Sequence, residues 1–434
     1  MQVSIEARQC AQALLDFIDA SPSPWHAVTH IEKGLTAEGF TKLVEAESWQ
    51  LNQSGKYFVV RDGGSIIAFV LGKGAIVETG FRIVGAHTDS PGLRLKPKAA
   101  YSTQSIAQLG VEVYGGPILA TFTDRDLSLA GRVMVKSSAG LSTRLIKLEQ
   151  PIARLPNLAI HMNREVNEKG LLLNKQTGLP LIFGHAANSD AAKQLLSDLL
   201  ANTLQVSASD ILSWDLAFYD TQTGSFWGIE QEFIADSQLD NLASCHAALE
   251  ALTSTETPQA TSICALFDHE EVGSESATGA GGSFLLDVME RICHAQQLTQ
   301  EDKLRSYAQS FFISADMAHA FHPNHAGSYE PCHHVQVNQG PVIKTNANQR
   351  YSTSAATAAR FIQLCDQAGV PYQQYAHRTD LGCGSTIGPI MAAQLGIATV
   401  DVGNPMWAMH SIRESAGVLD HSYMIATLQK HYAS

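Results

Sequence analysis

Apolar residues recur at helical spacing from Ile5 to Ile18, which predicts an amphipathic helix. The SPSP run at 21–24 ends it and leads into a second helix beginning near Trp25. GKYFVV and SIIAFVL flank RDGG and predict a hairpin closed by a tight glycine turn, and FRIVGA forms another apolar strand. Between residues 93 and 228 the pattern changes. VEVYGGPIL, ATFTDRDLSLAGRVMV and ILSWDLAFYD alternate like strands, and only NSDAAKQLLSDLLANTL has a strong helical period. From Asp236 onward strands and helices alternate: a helix after Leu239, a strand ending at Phe267, a helix after Gly282, the strand FFISA, a helix after Ser352, then strands near QYAH and IATVDV. Such alternation predicts an α/β fold, a mixed but mostly parallel sheet sandwiched by helices. The expected organisation is a catalytic domain split into residues 1–92 and 229–434, with a β-rich domain, 93–228, inserted between the halves.

The polar residues that interrupt this pattern are not evenly spread. The run Ile263 to Phe267 stops at Asp268, His269, Glu270 and Glu271, where adjacent acids at the end of a buried strand repel one another unless something positive compensates them. In isolation DHEE also fits a solvated loop. Other strand ends carry similar side chains: His87 and Asp89 after FRIVGA, Asp316 after FFISA, Arg378 and Asp380 after QYAH, and His410 beyond ATVDV, with Asp240 at the start of a helix. Functional residues collect at the carboxyl edge of such sheets, so these groups are expected to converge there.

Composition narrows the partners. With 29 basic and 42 acidic side chains the formal charge is -13, which disfavours nucleic acid and anionic membrane. The seven cysteines form no CxxC pairs, which fits a reducing compartment. No stretch reaches the roughly 18 apolar residues of a membrane span, and the opening residues lack a signal-peptide pattern, so a cytoplasmic location is expected.

Two histidines and several carboxylates without cysteine pairs suit zinc or a similar metal in a catalytic role. If Asp240 bridges two ions, His87, Asp240 and Asp316 serve one and Asp240, Glu271 and His410 the other, leaving room for water and substrate. In extended chain Glu270 points away from Glu271, so it is left free to move protons. Asp89 is placed to orient the His87 ring through its second nitrogen.

HTDSPGLRLKP, SQLDNL, DHEEVGS, SADMAHAFHPNH, GPVIKTNANQRY, GCGSTIGP and AMHSIRES together resemble the aspartyl aminopeptidases, a family of dinuclear zinc exopeptidases, over nearly the whole chain. The resemblance implies the ligands His87, Asp240, Glu271, Asp316 and His410, the general base Glu270, and two divalent ions, most readily Zn2+. It implies that the β-rich insert is a dimerisation domain and that the chain forms a dodecamer built from dimers. It also implies roles for His161 in LAIHM, reaching a neighbouring subunit's active site to stabilise an oxyanion, and for Lys344, His319 and Tyr351 around the substrate. Lys344 is the expected cation for a substrate carboxylate, although by itself it reads as a surface lysine. Cys383 lacks a committed base nearby and reads as a structural thiol. The expected function is removal of N-terminal Asp or Glu from peptides. The alternatives are the same chemistry with broad or neutral specificity, and a non-catalytic metal-binding assembly protein.

Overall fold

The computed structural model describes residues 3–138 and 140–434, in two units. One unit comprises the chain up to Asp89 with Gly224–Met409 and Glu414–Ser434; the other comprises Ser90–Thr223 with the short segment His410–Arg413.

The first unit is built on a nine-stranded sheet. Its centre is four adjacent parallel strands in the order Thr261–Phe267, Phe81–His87, Phe311–Ala315 and Ala398–Gly403. These strands are almost wholly buried, as parallel strands covered on both faces must be. The hairpin Lys56–Arg61 and Ser65–Val70 flanks them on one side and runs antiparallel to Thr261–Phe267. On the other side Val342–Thr345 runs antiparallel to Ala398–Gly403, and Gln373–Ala376 pairs parallel with Val342–Thr345.

That last pairing corrects one expectation. Gln373–Ala376 runs against the central strands, so the shared parallel edge that gathers the residues after the central strands does not include the end of this strand, which Arg378 and Asp380 follow. Arg378 Nε instead pairs with Asp380 Oδ1 at 2.6 Å.

Helices cover both faces. Ala11, Leu14, Val28, Leu35, Leu242 and Leu428 belong to one core cluster, contributed by the helices Ile5–Asp19, Pro24–Ala37, Leu239–Thr253 and Val418–Ala433. The opposite cluster contains Phe284, Met289, Ile292 and Met391 from Phe284–Ala295 and Ile387–Leu395. A five-stranded sheet of short strands, including Phe233–Asp236, Glu414–Gly417 and Pro405–Trp407, also lies in this unit. The second unit is a six-stranded antiparallel sheet. The helix Ser189–Leu204 sends Leu196 and Leu200 into a core shared with Leu109, Leu129 and Phe218 of the sheet. Among the described residues no helix is long and apolar enough to cross a membrane.

Candidate metal centre

Parallel pairing brings the ends of the central strands side by side: His87 is in register with Phe267, and Ala315 with Val402. Whatever follows these residues in sequence therefore emerges at one edge. Asp240 arrives from the start of the helix Leu239–Thr253, where its backbone and that of Asn241 are still non-helical and the peptide between them is cis. Two contacts hold this segment. Asn241 Nδ2 donates to the Ala315 carbonyl at 2.9 Å, and the Asp240 amide donates to Glu414 Oε2 at 2.9 Å. Asn241 and Glu414 lie within the motifs SQLDNL and AMHSIRES, yet spacing alone attached no role to either.

The ligand-type atoms of His87, Asp240 and Asp316 lie within 4.8 Å of one another, as do those of His87, Glu270 and Glu271. His87 Nε2 is 3.5 Å from Asp240 Oδ1 and 3.9 Å from Glu270 Oε2. His87 and Asp240 are only 1% and 3% exposed. Burial opposes charge on His87, but the adjoining Asp240 and Asp89 carboxylates outweigh it and hold the imidazole pKa well above the usual range. Burial, reinforced by Asp316, Asp89 and Asp240 and opposed by His87, pushes the Glu270 carboxyl up to about 8. Burial first and Asp240 next raise Glu271 well above an ordinary carboxyl, while Asp316 is pushed up to about 6 against the pull of Lys344. Crowded, buried acids respond in this way, and a divalent cation would supply the same compensation. The donor set fits one: imidazole nitrogen and carboxylate oxygen suit zinc. Cys245, although beside His87, is not such a donor. Burial holds its thiol protonated, and it donates to the His87 carbonyl.

The DHEE segment is not extended. His269 adopts a left-handed conformation and Glu270–Val272 forms a 3-10 turn, so the expected opposition of Glu270 and Glu271 across an extended chain is replaced by successive positions on a tight helix. Asp89 fixes that turn. Its Oδ1 accepts from the Glu270 amide at 3.0 Å and its Oδ2 from the Glu271 amide at 3.1 Å. The His87 ring meets Asp89 through the main chain, with Nδ1 2.9 Å from the Asp89 carbonyl and 3.4 Å from Oδ1. The orienting contact expected from the Asp89 carboxylate therefore comes chiefly from the backbone, because the carboxylate is engaged by two amides.

Lys344 is not a surface lysine: it is 2% exposed, and its Nζ donates to the carbonyls of Asp316 at 2.8 Å and Met317 at 3.1 Å. The same ammonium lies 5.1 Å from the centre of the buried Tyr351 ring. His319 stands edge-on to Tyr375, with ring centres 5.9 Å apart. Cys383 packs against the cluster that contains Tyr351 and Tyr375. His410 belongs to the segment that groups with the second unit, where its Nδ1 lies 3.1 Å from the Gly116 carbonyl. His161 is exposed in the second unit.

Comparison with known proteins identifies the family. The family model of the aminopeptidase I zinc metalloproteases (M18) matches residues 17–432. A probable M18 family aminopeptidase 2 of Ectopseudomonas mendocina is 48% identical over 425 residues, covering 98% of each chain. A chain in the cryo-EM structure of the Ape4 and Nbr1 complex superposes with a TM-score of 0.95 at 39% identity, covering 100% of this chain and 88% of the other. The mApe1 dodecamer of S. cerevisiae gives 0.85 at 28% identity, covering 98% of this chain and 96% of the other. With a family match over nearly its whole length and a sheet edge furnished with imidazole and carboxylate donors, this chain belongs to the M18 family of zinc metalloprotease aminopeptidases.

Proposed function

We infer that this aminopeptidase removes N-terminal aspartate or glutamate from peptides, with Glu270 as the proton carrier. The observation that carries the reading is the convergence of His87, Asp240 and Asp316 with Glu270 and Glu271 at one sheet edge. In this reading His87, Asp240 and Asp316 hold one zinc ion, and Asp240, Glu271 and His410 hold a second. When bound, the two ions supply an acidified water and polarise the scissile carbonyl.

The remaining work falls to the chain. Glu270, with a side chain 14% exposed, sits where water reaches it and where a proton taken from that water can be passed to the leaving amine. Asp89 holds the Glu270 and Glu271 amides in place while His87 is oriented by the Asp89 carbonyl. Lys344, Tyr351 and His319 form the side that receives the first residue. Lys344 supplies a positive charge there, although two of its three N–H bonds are already committed to carbonyls.

Purified protein loaded with zinc is expected to release Asp and Glu from short peptides faster than Leu or Lys. Equal rates across these substrates support the broad-specificity alternative instead. Glu270→Gln is expected to lower kcat by about 10²–10⁴-fold with zinc content unchanged. Wild-type turnover in that variant removes Glu270 from the mechanism.

A further inference from the structure

We propose that a cavity of about 560 Å³, walled by the loops that follow the strands Val342–Thr345 and Gln373–Ala376, recognises a substrate carboxylate through Arg350. The inference rests on the acidic-aminopeptidase reading and names a residue that sets its specificity.

Position supports it. The wall begins at Thr345, directly after Lys344, whose ammonium holds the Asp316 and Met317 carbonyls. It ends at Cys383, which packs against the cluster containing Tyr351 and Tyr375. Of the lining residues, His377 has its ring centre 6.4 Å from that of His319, three residues after the candidate ligand Asp316.

Charge supports it too. In a chain of net charge -13, no aspartate or glutamate among the described residues lines this cavity, whereas Arg350, Arg378 and His377 do. The two arginines are not equivalent. Arg378 is neutralised by Asp380, with Nε 2.6 Å from Oδ1, and donates to the Gly327 carbonyl. Among the described residues no carboxylate pairs with Arg350, so its guanidinium is the charge left to the cavity. His377 adds a second unmet group: Nδ1 lies 2.6 Å from Tyr375 Oη, while Nε2 is buried with no hydrogen-bond partner. Lys344, by contrast, has spent two of its three donors. A guanidinium also offers a carboxylate two parallel hydrogen bonds, which an ammonium cannot. The carboxylate comes either from the first side chain of the peptide or from the residue after it, and the chemistry of the cavity suits both.

The test compares zinc-loaded wild type, Arg350→Gln and Arg350→Lys on Asp-Ala-Ala, Ala-Asp-Ala and Leu-Ala-Ala. For Arg350→Gln, kcat/KM relative to Leu-Ala-Ala is expected to fall at least tenfold for one acidic peptide, mostly through KM. The peptide affected identifies which carboxylate is read. Arg350→Lys is expected to fall in between, since it keeps the charge and loses the fork. Arg350 is exposed, so loss of folding does not obscure the result. Unchanged ratios for both acidic peptides in Arg350→Gln overturn the inference while leaving the acidic reading standing. A wild type with no preference for acid at either position overturns both.

Discussion

Asp89 shows how one side chain can organise several others. It is 0% exposed, and each carboxylate oxygen accepts one amide from the turn that presents Glu270 and Glu271. Replacing it with alanine strands two partly buried donors, at about 1–3 kcal/mol each, and frees the turn to shift. Asp89→Ala is therefore expected to lower the thermal midpoint and to lose activity. Asp89→Asn, which keeps one acceptor oxygen, is expected to lie between it and wild type in both measurements. Equal midpoints for wild type and Asp89→Ala would remove this role. The residue was legible as a partner of the candidate ligand His87, two positions away; its hold on residues 181 and 182 positions further along was not, because only the parallel pairing of Phe81–His87 with Thr261–Phe267 brings them together.

Among the elements, the helices Leu239–Thr253 and Val418–Ala433 are joined by a buried histidine pair, His246 Nδ1 lying 2.9 Å from His421 Nε2. Burial, with the charge of nearby His30 behind it, lowers the His246 pKa to about 4, and burial with His246 behind it holds His421 well below its ordinary value. The sign follows directly. Both are neutral when folded, whereas an unfolded histidine takes up a proton near 6.5. The stability they contribute is complete above pH 6.5 and is lost as pH falls from there through about 4, by up to about 1.4 kcal/mol per pH unit for each histidine. The thermal midpoint is expected to fall steadily across that window, and less steeply in His246→Gln. Matching slopes for the two proteins would count against the pair. The strands show a different constraint: a Cβ on Gly403 would lie 1.8 Å from the Asp316 carbonyl oxygen, so the glycine lets Ala398–Gly403 run close beside the Asp316 segment.

For the molecule as a whole, the dodecamer that the resemblance implies can be tested at exposed apolar residues of the second unit. Beside the exposed His161 in sequence, Leu158, Ile160 and Met162 are 60%, 46% and 77% exposed, and Leu172 is 87% exposed. A solved relative is a dodecamer. Sedimentation is expected to give a mass near twelve times 46.8 kDa, and a double substitution of Ile160 and Met162 by aspartate to give smaller species with reduced activity. A wild-type monomer of full activity would end both the assembly and the proposed role of His161 at a neighbouring site.

Sequence by itself determined the α/β class, because the change from β-rich alternation to alternating apolar strands and helices is a local property of spacing. It also marked His87, Asp240, Glu270, Glu271 and Asp316, since each interrupts or borders an apolar run. Only tertiary structure decided which strand ends share an edge: Gln373–Ala376 reads as an ordinary strand, and its direction depends on pairing with Val342–Thr345. It decided as well that Lys344 is buried against two carbonyls and that Glu270–Val272 is a tight helical turn. Direction, burial and hydrogen-bond partners are set by contacts between segments far apart in the chain, and periodicity along one segment carries no record of them.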